Sequence, residues 1–187
     1  MKQMKKLLIF LLFSTMTFAQ KDLSLSEKFQ SDLNKSYADS LKSPLTKKDL
    51  KQFKGLDFFS INEKYIVEAT FIRTKKEKPF GMKTTTSRTP LYKKYGELHF
   101  EIDGKALKLN VYQNVDLNKK PGYEDYLFLP FSDLTCGKES YIGGRYVDMR
   151  IQKGKTWTID FNKAYNPYCA YNYEYSCPIV PLEHDLD

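Results

Sequence analysis

The chain has 187 residues, with 30 Lys and Arg against 23 Asp and Glu, a formal net charge of +7. That length suits one domain with a single core. The basic surplus is too small for a nucleic-acid footprint, and two histidines with three cysteines make a poor metal set.

The first 19 residues, MKQMKKLLIFLLFSTMTFA, have the three parts of a secretory signal peptide. Lys2, Lys5 and Lys6 form the positive region, Leu7 to Phe13 the apolar one, and Thr17-Phe18-Ala19 the small-residue cleavage site. The apolar run is too short to span a bilayer. Gln20 in place of cysteine after the cut gives no sign of a lipid anchor. Export to the periplasm or medium is therefore expected, with no membrane span after cleavage. Removal of the leader takes three of the 30 basic residues, leaving 27 against 23 acidic ones, a formal +4. Residues 20–187 are then one domain, with a helical segment over 20–55 and a β-rich body over 56–187.

Ser24-Leu-Ser-Glu27 has the form of a capping box. Behind it Leu25, Phe29, Leu33, Tyr37 and Leu41 recur every fourth residue, which predicts an amphipathic helix ended by Pro44. Thr46 caps a second short helix that stops before Gly55. From Leu56 the pattern turns to strands. Tyr65 to Ile72 is rich in β-branched and aromatic residues. Lys83 to Tyr95 is a solvated strand or a loop, because Pro90 interrupts its threonines. Asp103-Gly104 is a two-residue hairpin turn that sets Phe100 opposite Leu107 and Leu98 opposite Leu109. His99 falls on the solvent face. Val115 to Tyr123 reads as a loop, and Leu127, Leu129 and Phe131 alternate along another strand.

A last hairpin is predicted from Tyr146 to Asn162 around Lys153-Gly154-Lys155. A three-residue loop pairs Ile151 with Trp157, Met149 with Ile159 and Val147 with Phe161, all apolar. Its other face carries Tyr146, Asp148, Arg150, Thr158, Asp160 and Asn162, with Asp148 directly opposite Asp160. The fold class is α+β, mainly β: N-terminal helices followed by an antiparallel meander forming a roll or partly closed barrel.

Common catalytic and nucleotide-binding motifs are absent, and no cofactor is expected. Facing like charges at Asp148 and Asp160 need a cation, a shared proton or an arginine between them. Arg145 and Arg150 are near. The face reads either as a solvated Arg–Asp network or as the polar wall of a binding cavity. Arg145, Tyr146, Asp148, Asp160, Asn162, Tyr165, Asn166 and Tyr171 are the candidate binding residues. Cys169 and Cys177, close in sequence, are the natural disulfide pair of an exported chain, leaving Cys136 free. The same cysteines with His184 also allow a three-ligand zinc site or a thiol nucleophile and base. The stretch Asp160 to Pro178 reads first as a staple for the chain end, its tyrosines giving apolar area and hydroxyls for partners at the rim.

Phe131-Ser-Asp-Leu-Thr-Cys-Gly-Lys-Glu-Ser-Tyr141, Gly144-Arg-Tyr146, Asp160-Phe-Asn-Lys-Ala-Tyr-Asn-Pro-Tyr-Cys-Ala-Tyr171 and Cys177-Pro178 resemble the bacterial and archaeal family called domain of unknown function 1684. Phe53-Lys-Gly-Leu56 and Gly96-Glu-Leu-His-Phe100 fit it too. The resemblance implies one domain of this length and supplies no reaction. Cys136 departs from the small polar residue usual in the family, and His184 from its asparagine. The residues favour a non-catalytic binding module for a small polar ligand or envelope component. The alternative is a hydrolase using Asp148 with Asp160, or Glu139 with Asp160, as paired carboxylates. A structural component of the envelope would instead show a large exposed apolar patch.

Overall fold

A computed structural model describes residues 21–186; the expected signal peptide lies outside the described residues. Two helices, α1 (Ser24–Ala38) and α2 (Lys47–Gln52), precede an eight-stranded sheet. Its strands are β1 (Ile66–Arg73), β2 (Phe80–Gly81), β3 (Leu91–Ile102), β4 (Lys105–Asn114), β5 (Tyr126–Asp133), β6 (Arg145–Arg150), β7 (Thr156–Asp160) and β8 (Asp185–Leu186). The main path runs β6-β5-β4-β3-β1-β7, with β2 on β3 and β8 on β5. The antiparallel sheet curls into a half-barrel, as expected from the sequence.

Helix α1 starts one residue away from the expected cap. Leu23 is its N-cap and makes no side-chain cap bond, while Ser24 donates its N–H to Asp22 Oδ1 at 2.9 Å. The apolar stripe is also displaced. Tyr37 is buried, but Leu25 and Leu41 are exposed and Ser26 is fully buried. Steps of four residues overshoot a helix turn by about 40° each, so a stripe of that spacing walks off one face. In α2 the Thr46 hydroxyl accepts from the Asp49 N–H at 3.2 Å, as expected.

The Asp103-Gly104 turn has φ of 53° and 76°, the left-handed pair a tight hairpin requires, and the expected register is formed: Phe100 faces Leu107, and Leu98 faces Leu109. Strand β3 is longer than its pattern suggested, because it runs from Leu91 through a bulge between Lys94 and Gly96. Gly96 is required there: a Cβ would meet the Phe71 ring at 2.3 Å and the Ile72 carbonyl at 2.6 Å. On either side of the bulge β3 has different partners: Leu91 and Tyr92 pair with β2, and Gly96 to His99 with β1.

The last predicted hairpin is not formed. Strand β6 pairs with β5, setting Asp148 beside Phe128, and β7 pairs with β1, setting Asp160 beside Ile66. The two strands end the path on opposite sides, so Asp148 and Asp160 do not face each other. Their apolar alternation nevertheless identified the inner face. Val147, Met149, Trp157 and Ile159 all enter the core inside the curl, where Trp157 stacks on Phe71 with centroids 3.8 Å apart. Period-two alternation tells which face a side chain takes and is silent about which strand lies beside it.

The opposite face carries a second core of Met82, Tyr92, Tyr112, Phe128 and Tyr146, so β5 is buried on both sides. The chain after β7 covers this face as a strap. It passes through a short turn at Phe161–Lys163 and bridges Tyr165 to Tyr146. It bridges Pro178 to Thr84 and donates Ile179 N–H to the Lys83 carbonyl. It ends with fully buried His184 and with β8. The expected disulfide is not formed: Cys169 and Cys177 are free thiols, with the Cys169 N–H donating to Cys177 Sγ at 3.2 Å. Backbone bridges and tyrosines hold the strap instead.

Candidate functional site

Two adjoining hollows meet at Arg145, the first residue of β6. The larger is a cleft of about 680 Å3. Phe58, Phe59, Ile102, Leu107, Phe131 and Phe161 wall it, and Gln30, Asn62, Asp103 and Lys105 stand among its polar residues. The smaller, a chamber of about 30 Å3, is lined by Tyr37, Asp57, Glu139, Ser140, Tyr165, Asn166 and Tyr171. Phe58, Phe59, Arg145 and Ala164 border both.

Arg145 is the hinge point of this arrangement. Gly144, at φ 86°, places it: a Cβ there would meet the Phe131 carbonyl at 2.6 Å. The close approach lets β6 begin directly beside the end of β5. The Arg145 side chain is only 12% exposed. Its Nη2 donates to Asp133 Oδ2 and, at 3.3 Å, to Thr135 Oγ1. Its guanidinium carbon lies 5.1 Å from the ring centres of both Phe59 and Phe131, within cation–π range. Asp133 is held in turn, its Oδ1 accepting the Thr135 N–H at 3.0 Å. Among the described residues, buried Arg145 Nε and buried Tyr37 Oη have no hydrogen-bond partner.

The sequence candidates separate into three groups. Arg145, Tyr165, Asn166 and Tyr171 converge on the chamber, and Asn162 with Arg145 borders the cleft. Asp160 is a structural clamp. Its carboxylate accepts from Ser26 Oγ at 2.7 Å, from the Asn162 N–H at 3.1 Å and from Asn162 Nδ2 at 3.0 Å, and pairs with Lys163 at 3.4 Å. Asn162 clasps both backbone groups of Asn62, at 2.9 and 3.0 Å. Together they fix α1 and the loop before β1 to the barrel.

Tyr146 and Asp148 lie on the strap side. Tyr146 is buried and its hydroxyl donates to the Pro178 carbonyl. Asp148 is open to solvent but crowded by protein, and Oδ1 accepts from Tyr126 and Tyr165 hydroxyls, both at 2.7 Å. Crowding pushes its carboxyl above the usual range, and the two hydroxyls oppose that rise.

The zinc and thiol–histidine alternatives are not assembled. Nδ1 of His184 faces the Pro130 carbonyl at 2.7 Å and Nε2 faces the Asn110 N–H at 3.0 Å, so both ring nitrogens are occupied. No cluster of three or more His, Cys, Asp or Glu side chains suited to a metal exists among the described residues. Burial pushes the Cys177 thiol up to about 12, which suits a packed thiol and not a nucleophile. Phe58, Phe59, Asp133 and Thr135 were missed as site residues. The adjacent phenylalanines in a stretch without periodicity were a usable signal.

The family model for the "Protein of unknown function (DUF1684)" matches residues 51–187. The chain belongs to the DUF1684 family. A DUF1684 chain of this kind resembles the solution NMR structure of an uncharacterised protein from Haloarcula marismortui, at 30% identity and a TM-score of 0.69 over 88% of each chain. No curated protein matches. The DUF1684 match contains the whole Asp133–Arg145 loop and the strap, while α1 and its Tyr37 precede it.

Proposed function

We propose that this protein is an exported, non-catalytic binding module that shelters the apolar part of a small molecule in the cleft beside Arg145. The cleft itself carries this reading. Its volume of about 680 Å3 falls in the range of small-molecule sites, and its walls are largely aromatic and aliphatic with one buried guanidinium at the inner end. The ligand is accordingly more apolar than the small polar molecule suggested by the tyrosine-rich sequence. Exposed Phe59, Tyr65 and Leu134 border the same cleft and give it an apolar mouth.

The paired-carboxylate alternative has no comparable support. Asp148 and Asp160 border neither hollow, and Glu139 borders the chamber without Asp160. Asp160 already has hydrogen-bond or ionic partners on both oxygens.

Thermal-shift measurements on residues 20–187 test the reading. The panel holds sugars, cell-wall fragments and small apolar or amphiphilic compounds, with Leu107→Trp as a variant that fills the cleft. Saturation at about 100 times Kd adds roughly 2.7 kcal/mol, a shift of several degrees. The expected result is stabilisation by apolar compounds that Leu107→Trp removes. No response from any class would sink the reading. Export is tested separately by N-terminal sequencing of protein recovered from outside the cytoplasm, which should begin at Gln20.

A further inference from the structure

Strand β1 has two unlike ends. Its start, Ile66, lies beside Asp160 and follows the cleft residue Tyr65. Its other end, Arg73, is roughly 20–25 Å away along an extended strand. Three stretches meet at that far end. The Phe71 N–H donates to the Lys155 carbonyl at 2.7 Å. Thr74 donates its N–H to the Tyr95 carbonyl at 3.2 Å and its hydroxyl to the Lys94 carbonyl at 3.3 Å. The Arg73 guanidinium lies over the Tyr95 ring, 3.6 Å from its centre. Residues 73–78, 93–97 and 153–155 thus form one rim of the sheet, and none of them lines the cleft.

Positive charge is concentrated on this rim. The three stretches hold eight basic side chains, with Glu77 and Glu97 as their acidic ones, a net +6. Residues 20–187 carry only a formal +4, so the rest of that chain is slightly acidic. Glu97 is already shared by Lys94 and His99, at 2.6 and 3.0 Å. Lys75, Lys76, Lys78, Lys153 and Lys155 are exposed, and among the described residues they make no ion pair and no side-chain hydrogen bond. Ammonium groups gathered in this way repel one another, and a surface of opposite charge relieves the repulsion. Apolar side chains stand on the same rim: Ile72, Phe80 and Leu91 are 49%, 40% and 47% exposed. Ile72 precedes Arg73, and Leu91 pairs with Gly81, the neighbour of Phe80. A soluble polyanion gives these side chains nothing to enter. The interface of a bilayer takes both kinds, lysines against headgroups and apolar groups into the acyl boundary.

We propose that this rim docks the protein on an anionic phospholipid surface, its lysines on the headgroups and its exposed apolar side chains in the interface, with the cleft at the other end of β1 left clear. The inference does not rest on the cleft being a binding site.

Vesicle sedimentation tests it on residues 20–187, which contain the whole described fold. One set of vesicles is half phosphatidylglycerol and half phosphatidylcholine, and the other is phosphatidylcholine alone, at about 0.1 M salt. The protein should bind the first set at least about 10-fold more tightly than the second. Each lysine close to such a surface strengthens binding about 5-fold, so joint replacement Lys75→Gln, Lys76→Gln and Lys78→Gln should weaken it about 100-fold. The control replaces three exposed lysines of α2, Lys47→Gln, Lys48→Gln and Lys51→Gln. It removes the same charge and should change binding less than about 3-fold. Leu91→Ser should weaken vesicle binding about 3- to 10-fold and leave retention on heparin, a soluble polyanion, unchanged. Equal losses from the two triple variants overturn the rim as the docking site. Equal binding to both vesicle sets, or to neither, overturns the anionic lipid surface, as does retention on heparin without vesicle binding. An unchanged Leu91→Ser protein overturns the apolar contact.

Discussion

His184 offers the sharpest test of how the chain end is held. It is fully buried beneath the sheet, with Nδ1 bonded to the Pro130 carbonyl at 2.7 Å and Nε2 to the Asn110 N–H at 3.0 Å. One nitrogen must donate and the other accept, so the bonded ring is neutral. Desolvation by burial pushes its pKa below 6.5. Replacement by leucine keeps similar bulk but strands a buried backbone N–H and a buried carbonyl. Each stranded group costs about 1–3 kcal/mol, so His184→Leu should cost roughly 2–5 kcal/mol. That is a large share of a typical domain's stability of about 5–15 kcal/mol. Asparagine retains one donor and one acceptor, so His184→Asn should cost distinctly less. The pH response separates bonding from bulk. In the unfolded chain the imidazole takes a proton near pH 6.5, while the folded protein resists it until lower pH. The histidine's contribution is therefore full above about pH 6.5. It falls as the pH drops towards the folded pKa, by up to about 1.4 kcal/mol per unit. Urea unfolding of native, Leu and Asn proteins at pH 7.5 and pH 5.5 measures all three effects. A His184→Leu loss below about 0.5 kcal/mol, or an equal pH slope in native and Asn proteins, would refute the reasoning.

Other outcomes follow from the same contacts. Asp160→Asn should cost about 1–3 kcal/mol in urea unfolding, because the carboxylate joins Ser26, Asn162 and Lys163. Asp103→Asn, in an exposed turn at φ 53° that asparagine tolerates, should stay within about 0.5 kcal/mol, and equal effects would reject the clamp. Gly96→Ala should lower stability by about 2–4 kcal/mol, since its Cβ would meet the Phe71 ring at 2.3 Å; a neutral result would mean the β3 bulge relaxes freely. In native protein at pH 8, Cys177 should react with iodoacetamide at least 10-fold more slowly than an unperturbed thiol, as expected of a group raised to about 12. After unfolding without a reductant, intact mass should show three alkylated cysteines; a mass two hydrogens short with one label would instead mean Cys169 and Cys177 have joined.

Local signals in the sequence carried unequal information. Asp103-Gly104 fixed its own hairpin because turn conformation and strand register are decided within a few residues. Lys153-Gly154 offered the same kind of signal and led to the wrong pairing. Gly154 does adopt φ 79°, but the chain there crosses from β6 at one end of the sheet path to β7 at the other. Trp157 and Ile159 then pair with Ala69 and Val67 of β1. Those partners lie far upstream, and an apolar alternation is satisfied by any neighbour that buries the same face. The error propagated directly into chemistry: pairing β6 with β7 brought Asp148 and Asp160 together and suggested a carboxylate pair. Correct topology separates them and gives each a different task, one under two tyrosyl hydroxyls and one clamping α1. It also brings Arg145 to Asp133 and to Phe59, residues that no local pattern joins. Side-chain type told where polar chemistry was buried; only the long-range path of the sheet decided which polar groups share a cavity.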